Sequence, residues 1–289
     1  MTTTLEHNTR NTVALSGLTF GGILRSEWIK LRTLRSTMWC YAVIIVLMIG
    51  FGVLLAVAMP AGGIGVQSNS ATADQQQATW LQVTTLGIGF GELVAAVLGA
   101  LVITGEYGTG MIRSTLTAVP KRTPALIAKA LVFGVTTFIV SLIALVATAL
   151  STAPLMPGKA IHPNFGDADF WLALVGGAGY LALIGILGLA IGAIIRSSAG
   201  GISAALGLIL VVPVLAQIVA GVTRATWAGN LGSFLPSSAG GRMYAYGPTA
   251  LTPPKGVVSL DAGQGLLVLA LWCVVIFVIG AVLLKRRDA

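Results

Sequence analysis

The sequence predicts an all-α membrane protein with six transmembrane helices. Both termini are placed in the cytoplasm, with an amphipathic N-terminal elbow helix before the first span and a short cytoplasmic helix between the second and third. Three observations carry this. Only 9% of the 289 residues are charged while 56% are hydrophobic, and mean hydropathy is +0.92; a soluble domain carries about 25% charged residues, so lipid must solvate much of this chain. Six apolar runs approach the roughly 20 residues that a helix needs to cross the hydrocarbon core. The basic residues fall almost entirely in alternate loops, and the net charge of +8 follows that alternation. A single basic domain is absent, so nucleic acid is not an expected partner.

Residues 1–37 are read as a cytoplasmic N-terminal segment, 38–284 as one six-span domain and 285–289 as a basic cytoplasmic tail. Residues 1–17 are polar and hold no apolar signal-peptide core, so the first span is read as an uncleaved insertion signal. The spans cover about 38–59, 83–103, 125–150, 170–195, 200–222 and 266–284. Helix is required, because open backbone cannot be satisfied in lipid. Of the 17 Lys and Arg residues, 13 lie before the first span, between the second and third or at the start of the third, between the fourth and fifth, or after the sixth. The positive-inside rule places those segments in the cytoplasm, in agreement with an even span count.

Before the first span, Phe20, Leu24, Trp28 and Leu31 share a helical face. Arg25, Lys30 and Arg32 lie off it, with Glu27 near its edge. Such a helix lies at the cytoplasmic interface, with its cations near anionic headgroups. It is either a topology anchor or an elbow that also touches a cytoplasmic partner.

In residues 105–122, just beyond the second span, Gly108 and Gly110 permit a sharp backbone change. Thr109 can cap a new helix, which Pro120 limits. Ile112, Leu116 and Val119 share one face of that helix, and Glu106 and Arg113 place charge beside it. Bilayer or another protein would cover the face; a solvated inner loop is the plainer reading.

Ser26-Glu-Trp-Ile-Lys-Leu-Arg-Thr-Leu-Arg-Ser-Thr37 resembles the opening of type-2 ABC exporter permeases, particularly the actinobacterial kind. Gly105-Glu-Tyr-Gly-Thr-Gly-Met-Ile-Arg-Ser-Thr-Leu116, followed by Pro120 and by Lys129 at the start of the third span, is similar to their loop between the second and third spans. Leu235-Pro-Ser-Ser-Ala-Gly-Gly241 resembles part of their last outer loop, and Lys285-Arg-Arg-Asp-Ala289 their ending. The resemblance implies a plasma-membrane permease that pairs with a second permease, the same or different, and docks two copies of an ATPase subunit. It also implies a coupling helix after the second span, a role carried onto Glu106, Tyr107, Gly108, Gly110, Arg113 and Leu116. Glu27, Trp28, Lys30 and Arg32 fall in the elbow helix.

Three further features stand out. Glu92 lies near the middle of the second span, where a carboxylate costs roughly 2.5–3.5 kcal/mol to insert. It reads either as a transport-pathway residue or as a polar contact between helices. Gly188 and Gly192 form a GxxxG pair in the fourth span, for close packing within the chain or between copies. Residues 223–265 form a long outer loop that partly re-enters the interface, or simply carries aromatic belt residues. Pro213 is expected to kink the fifth span.

The chain holds no GxxxxGK[ST] phosphate loop; Pro157-Gly-Lys-Ala160 is the nearest fragment. ATP and Mg are therefore expected on the partner, with no cofactor on this chain. His7 and His162 fall on opposite sides, so no metal site or catalytic residue is expected. Asp167 and Asp169 read as solvated, and Cys40 and Cys273 as packing residues. The leading expectation is the permease of an ATP-driven exporter for an amphipathic or hydrophobic cargo such as a lipid, antibiotic or drug. The alternative is an ion- or proton-coupled carrier using Glu92.

Overall fold

The computed structural model describes residues 19–60, 72–111, 122–247 and 256–286. Among these, six helical stretches are long and apolar enough to cross a membrane, and each overlaps one expected span. We call the end carrying the N-terminal helix the basic end.

Helix α1 (Phe20–Thr33) starts at Thr19, whose hydroxyl accepts from the Gly22 N–H at 3.2 Å. It ends at Leu34, whose backbone is extended (φ −76°, ψ 112°), and α2 (Arg35–Ala58) begins at the next residue. One residue thus makes the elbow. The buried face of α1 is Ile23, Glu27 and Leu31, while Phe20 and Trp28 are exposed. The expected apolar stripe is therefore rotated: Glu27 sits on the inward face and not at its edge.

Along α2 the buried residues are Thr37, Tyr41, Ile44, Met48, Gly52 and Ala56, a single stripe three or four residues apart. The second stretch begins at Ala73, ten residues before the expected start. It consists of α3 (Ala73–Thr85) and α4 (Ile88–Gly108). Their junction lies on α2, where a Cβ on Gly87 would stand 2.4 Å from the Met48 Cα. The polar start of α3 is satisfied by tertiary contacts. Gln77 exchanges two hydrogen bonds with the Asn164 backbone, Gln76 accepts from the His162 N–H, and the Trp80 indole donates to the Thr152 hydroxyl.

The long helix α5 (Arg122–Thr152) and α6 (Ala168–Ile195) complete the core. α6 is central, packing on α4, α5 and the last helix. A Cβ on Gly188 would fall 2.2 Å from the Ala96 carbonyl oxygen, so the α4 and α6 backbones touch. The GxxxG pair therefore serves packing within the chain.

After a turn at Arg196, the fifth stretch runs as α7 (Ser198–Leu206), a widened π turn (Gly207–Val211) and α8 (Val212–Thr223). The π turn stands just before Pro213, which has no N–H to close a regular turn. Helix α9 (Thr226–Ser233) then packs on α8, and α10 (Pro236–Gly241) sinks between α6 and the last helix. A Cβ on Gly240 would meet the Tyr180 ring at 2.3 Å, and Tyr180 lies about 18 Å along α6 from its start. Residues 236–244 are therefore a re-entrant segment of the bundle. Helix α11 (Ala262–Arg286) closes the chain. Both cysteines are free thiols.

Candidate functional site

Helices α1 and α5 meet where Ile23 packs on Ala125 and Ala128. One turn further, this contact brings Glu27 and Lys30 against the first turns of α5 and the last turn of α4. Four charged groups from three helices converge there. The Lys129 ammonium donates to Glu27 Oε2 at 2.5 Å and to Glu106 Oε1 at 2.8 Å. The Lys30 ammonium donates to Glu27 Oε1 at 2.8 Å and to Glu106 Oε1 at 3.0 Å.

The Glu27, Glu106 and Lys129 side chains are at most 8% exposed, and Lys30 is 24% exposed. Charges so deeply buried survive only when paired. Two carboxylates and two ammoniums make the cluster neutral, and each ammonium bridges both acids. Burial disfavours the Lys30 ammonium, but the Glu27 hydrogen bond and the Glu106 charge outweigh it and raise its pKa. Glu106 Oε2 makes no hydrogen bond among the described residues. Glu106 also lines a cavity of about 230 Å³ bounded by Leu31, Leu34, Leu101 and Val102.

The end of α4 is held from its other side too. Arg196, in a left-handed turn (φ 60°), places its guanidinium 5.3 Å from the Tyr107 ring centroid. It also donates to the Leu283 carbonyl at 3.4 Å. The Ser198 hydroxyl donates to Thr104 at 3.1 Å. Thus α4 reaches its terminus clamped by α1, α5 and the α6–α7 turn, which is itself tied to α11.

Of the residues expected to couple, Glu106 and Tyr107 are in these contacts. Gly108 ends α4, and Gly110 has φ +72°, the sharp change expected there. The Thr109 hydroxyl turns back to the Gly105 carbonyl at 2.9 Å, onto α4 and not forward. Arg113 and Leu116 lie outside the described residues. In the elbow helix, Glu27 and Lys30 join the cluster, whereas Trp28 and Arg32 point away from it and are exposed.

Glu92 stands apart from the cluster. The Tyr180 hydroxyl donates to its Oε2. Tyr180 is itself buried, with its ring 5.6 Å from that of Tyr244. Glu92 thus links α4 through Tyr180 to the re-entrant segment. At the end opposite the basic one, Asp167 caps α6 by accepting from the Asp169 N–H, and Tyr246 donates to it. Asp167 is therefore a structural acceptor, more than a solvated carboxylate. Its hydrogen bond is the main reason that the Tyr246 phenol is pushed up to about 12.

Residues 22–289 match the family described as ABC-2 family transporter protein. The chain belongs to that family. No curated protein matches it. As an ABC-2 permease it is a multi-pass membrane subunit of an ABC-type transporter, a family that works with an ABC ATPase. Among the described residues no group of His, Cys, Asp and Glu could hold a metal ion.

Lys129, Arg196 and Tyr180 hold this ABC-2 permease's sites together but were not expected as site residues. Lys129 had a signal: it is the only charged residue in 125–150. A charge inside a span faces a partner. Arg196 carried none beyond topology, and Tyr180 carried none.

Proposed function

We propose that this chain is the membrane subunit of an ATP-driven exporter in the plasma membrane. Its basic end faces the cytoplasm, where two copies of a separate ATPase dock and supply ATP and Mg. A second permease, the same or different, completes the pathway. Residues 1–37, 38–284 and 285–289 serve as cytoplasmic segment, permease domain and tail. The cargo is amphipathic or hydrophobic, in keeping with apolar spans that hold few charges.

One observation carries the reading: the Glu27–Lys30–Glu106–Lys129 cluster locks the end of α4 to α1 and α5. Residues 105–122 follow directly from that clamped end. A push on this loop by a motor is then passed to three helices at once, without a hinge at Glu106. Arg113 and Leu116 are the proposed contacts of the loop with the ATPase, and Glu106, Tyr107, Gly108 and Gly110 anchor and turn it. Alternating access would follow as the ATPase pair closes.

The test is affinity purification in mild detergent, for wild type and for Leu116→Asp, scored for a co-purifying ATPase that carries a phosphate loop. The wild type should retain the ATPase and Leu116→Asp should lose it. Recovery of an ATPase-free permease that still transports would overturn the proposal. In a background without Cys40 and Cys273, Arg113→Cys should react with an impermeant maleimide only in inverted vesicles, and His162→Cys only in right-side-out ones. An ion- or proton-coupled carrier is the second reading, favoured by the partly exposed Glu92 carboxylate. It requires uptake driven by an imposed ion gradient without ATPase.

A further inference from the structure

Glu92 is a carboxylate within a span, yet no cation among the described residues is paired with it: the ion pairs there all lie at the α1–α4–α5 cluster. Its only hydrogen-bond partner among those residues is the Tyr180 hydroxyl, which occupies Oε2. The side chain is only partly buried. Beside it, one turn earlier on the same side of α4, Gly89 is exposed, with nothing within 4 Å of where its Cβ would stand. The fifth span does not close that face along its whole length: α7 packs on α4, but α8 packs on α9 instead. Tyr180 is 1% exposed and offers its hydroxyl, not its ring; the half-buried Tyr244, 5.6 Å from it, adds an aromatic face, and aromatic faces attract cations.

We infer that Glu92, Tyr180 and Tyr244 form a binding site for a lipophilic monocation, and that the cargo carries such a group. The inference rests on the permease reading and narrows its cargo from any amphipathic molecule to a cationic one. A carboxylate in low dielectric without a counter-ion of its own strongly favours a cation that brings little hydration to shed. A delocalised or bulky organic cation meets that condition, whereas a small hydrated metal ion does not. The Tyr180 hydroxyl holds one carboxylate oxygen in place and leaves the other to the ligand.

The experiment is equilibrium binding of tetraphenylphosphonium to the purified permease in nanodiscs of zwitterionic lipid, with an uncharged tetraphenyl analogue as control. Wild type should bind the cation saturably. Glu92→Gln should weaken that binding roughly tenfold or more, the scale of a lost ion pair with its cation–π support. Glu92→Asp, which keeps the charge, should retain most of it, and the uncharged analogue should be insensitive to either change. Absence of saturable binding, equal binding by Glu92→Gln, or an equal loss for the analogue would overturn the inference. No ATPase is needed, so this outcome is read separately from recovery of the motor subunit.

Discussion

Replacing Lys129 with methionine tests the charge cluster most directly. Its ammonium is 5% exposed and bridges Glu27 at 2.5 Å and Glu106 at 2.8 Å. Methionine keeps the stem volume and removes the charge. Glu27 and Glu106 are then left with Lys30 alone, at net charge −1 in a buried site. Breaking a buried pair by removing one partner costs about 3–5 kcal/mol, mostly because the other charge stays buried. At roughly 2–4 °C per kcal/mol for a chain of this size class, Tm should fall on the order of 10 °C. The assay is thermal unfolding in mild detergent, followed by tryptophan fluorescence. Adding Glu27→Gln to Lys129→Met restores neutrality and should recover part of the loss, with a coupling energy of about 0.5–3 kcal/mol. A Lys129→Met protein as stable as wild type, or additive behaviour of the pair, would refute the reasoning.

Gly188→Val should fail to assemble, because its Cβ would already sit 2.2 Å from a carbonyl oxygen. Gly89→Ala, with nothing within 4 Å, should be neutral, and fluorescence-detected size exclusion reads both. The Lys30 pKa is raised above 10.5. Its contribution is therefore complete below about pH 10.5 and is lost as pH climbs through the higher folded value. Wild type should lose stability across that window more steeply than Lys30→Met. Arg196→Ala removes the guanidinium from the Tyr107 ring and from Leu283. It should cost about 1–2 kcal/mol in the same unfolding assay.

The six spans were legible because lipid demands long apolar helices, and that demand is written in composition. The start of the second was not. Gln76, Gln77 and Trp80 look like loop residues until residues 162–164 and Thr152 supply their partners. Glu27 was placed at an edge for the same reason. A helical wheel ranks a carboxylate as outward-facing, and only the tertiary approach of Lys129 and Lys30 makes it an inward one. Gly188 announced a close contact but not with which helix. Glu106, Tyr107, Gly108 and Gly110 were singled out by the family resemblance of the loop that they begin. The clamp around them was missed, since Lys129 and Arg196 reach it from more than 20 residues away in sequence.

Where two main chains press together, no side chain remains to act as a bearing, and sliding one past the other would drive atoms into each other. The Gly188–Ala96 seam therefore makes the second and fourth spans a single keel. A push on the end of the second span must carry the fourth with it, so that the pair swings as one timber among the lighter staves around it.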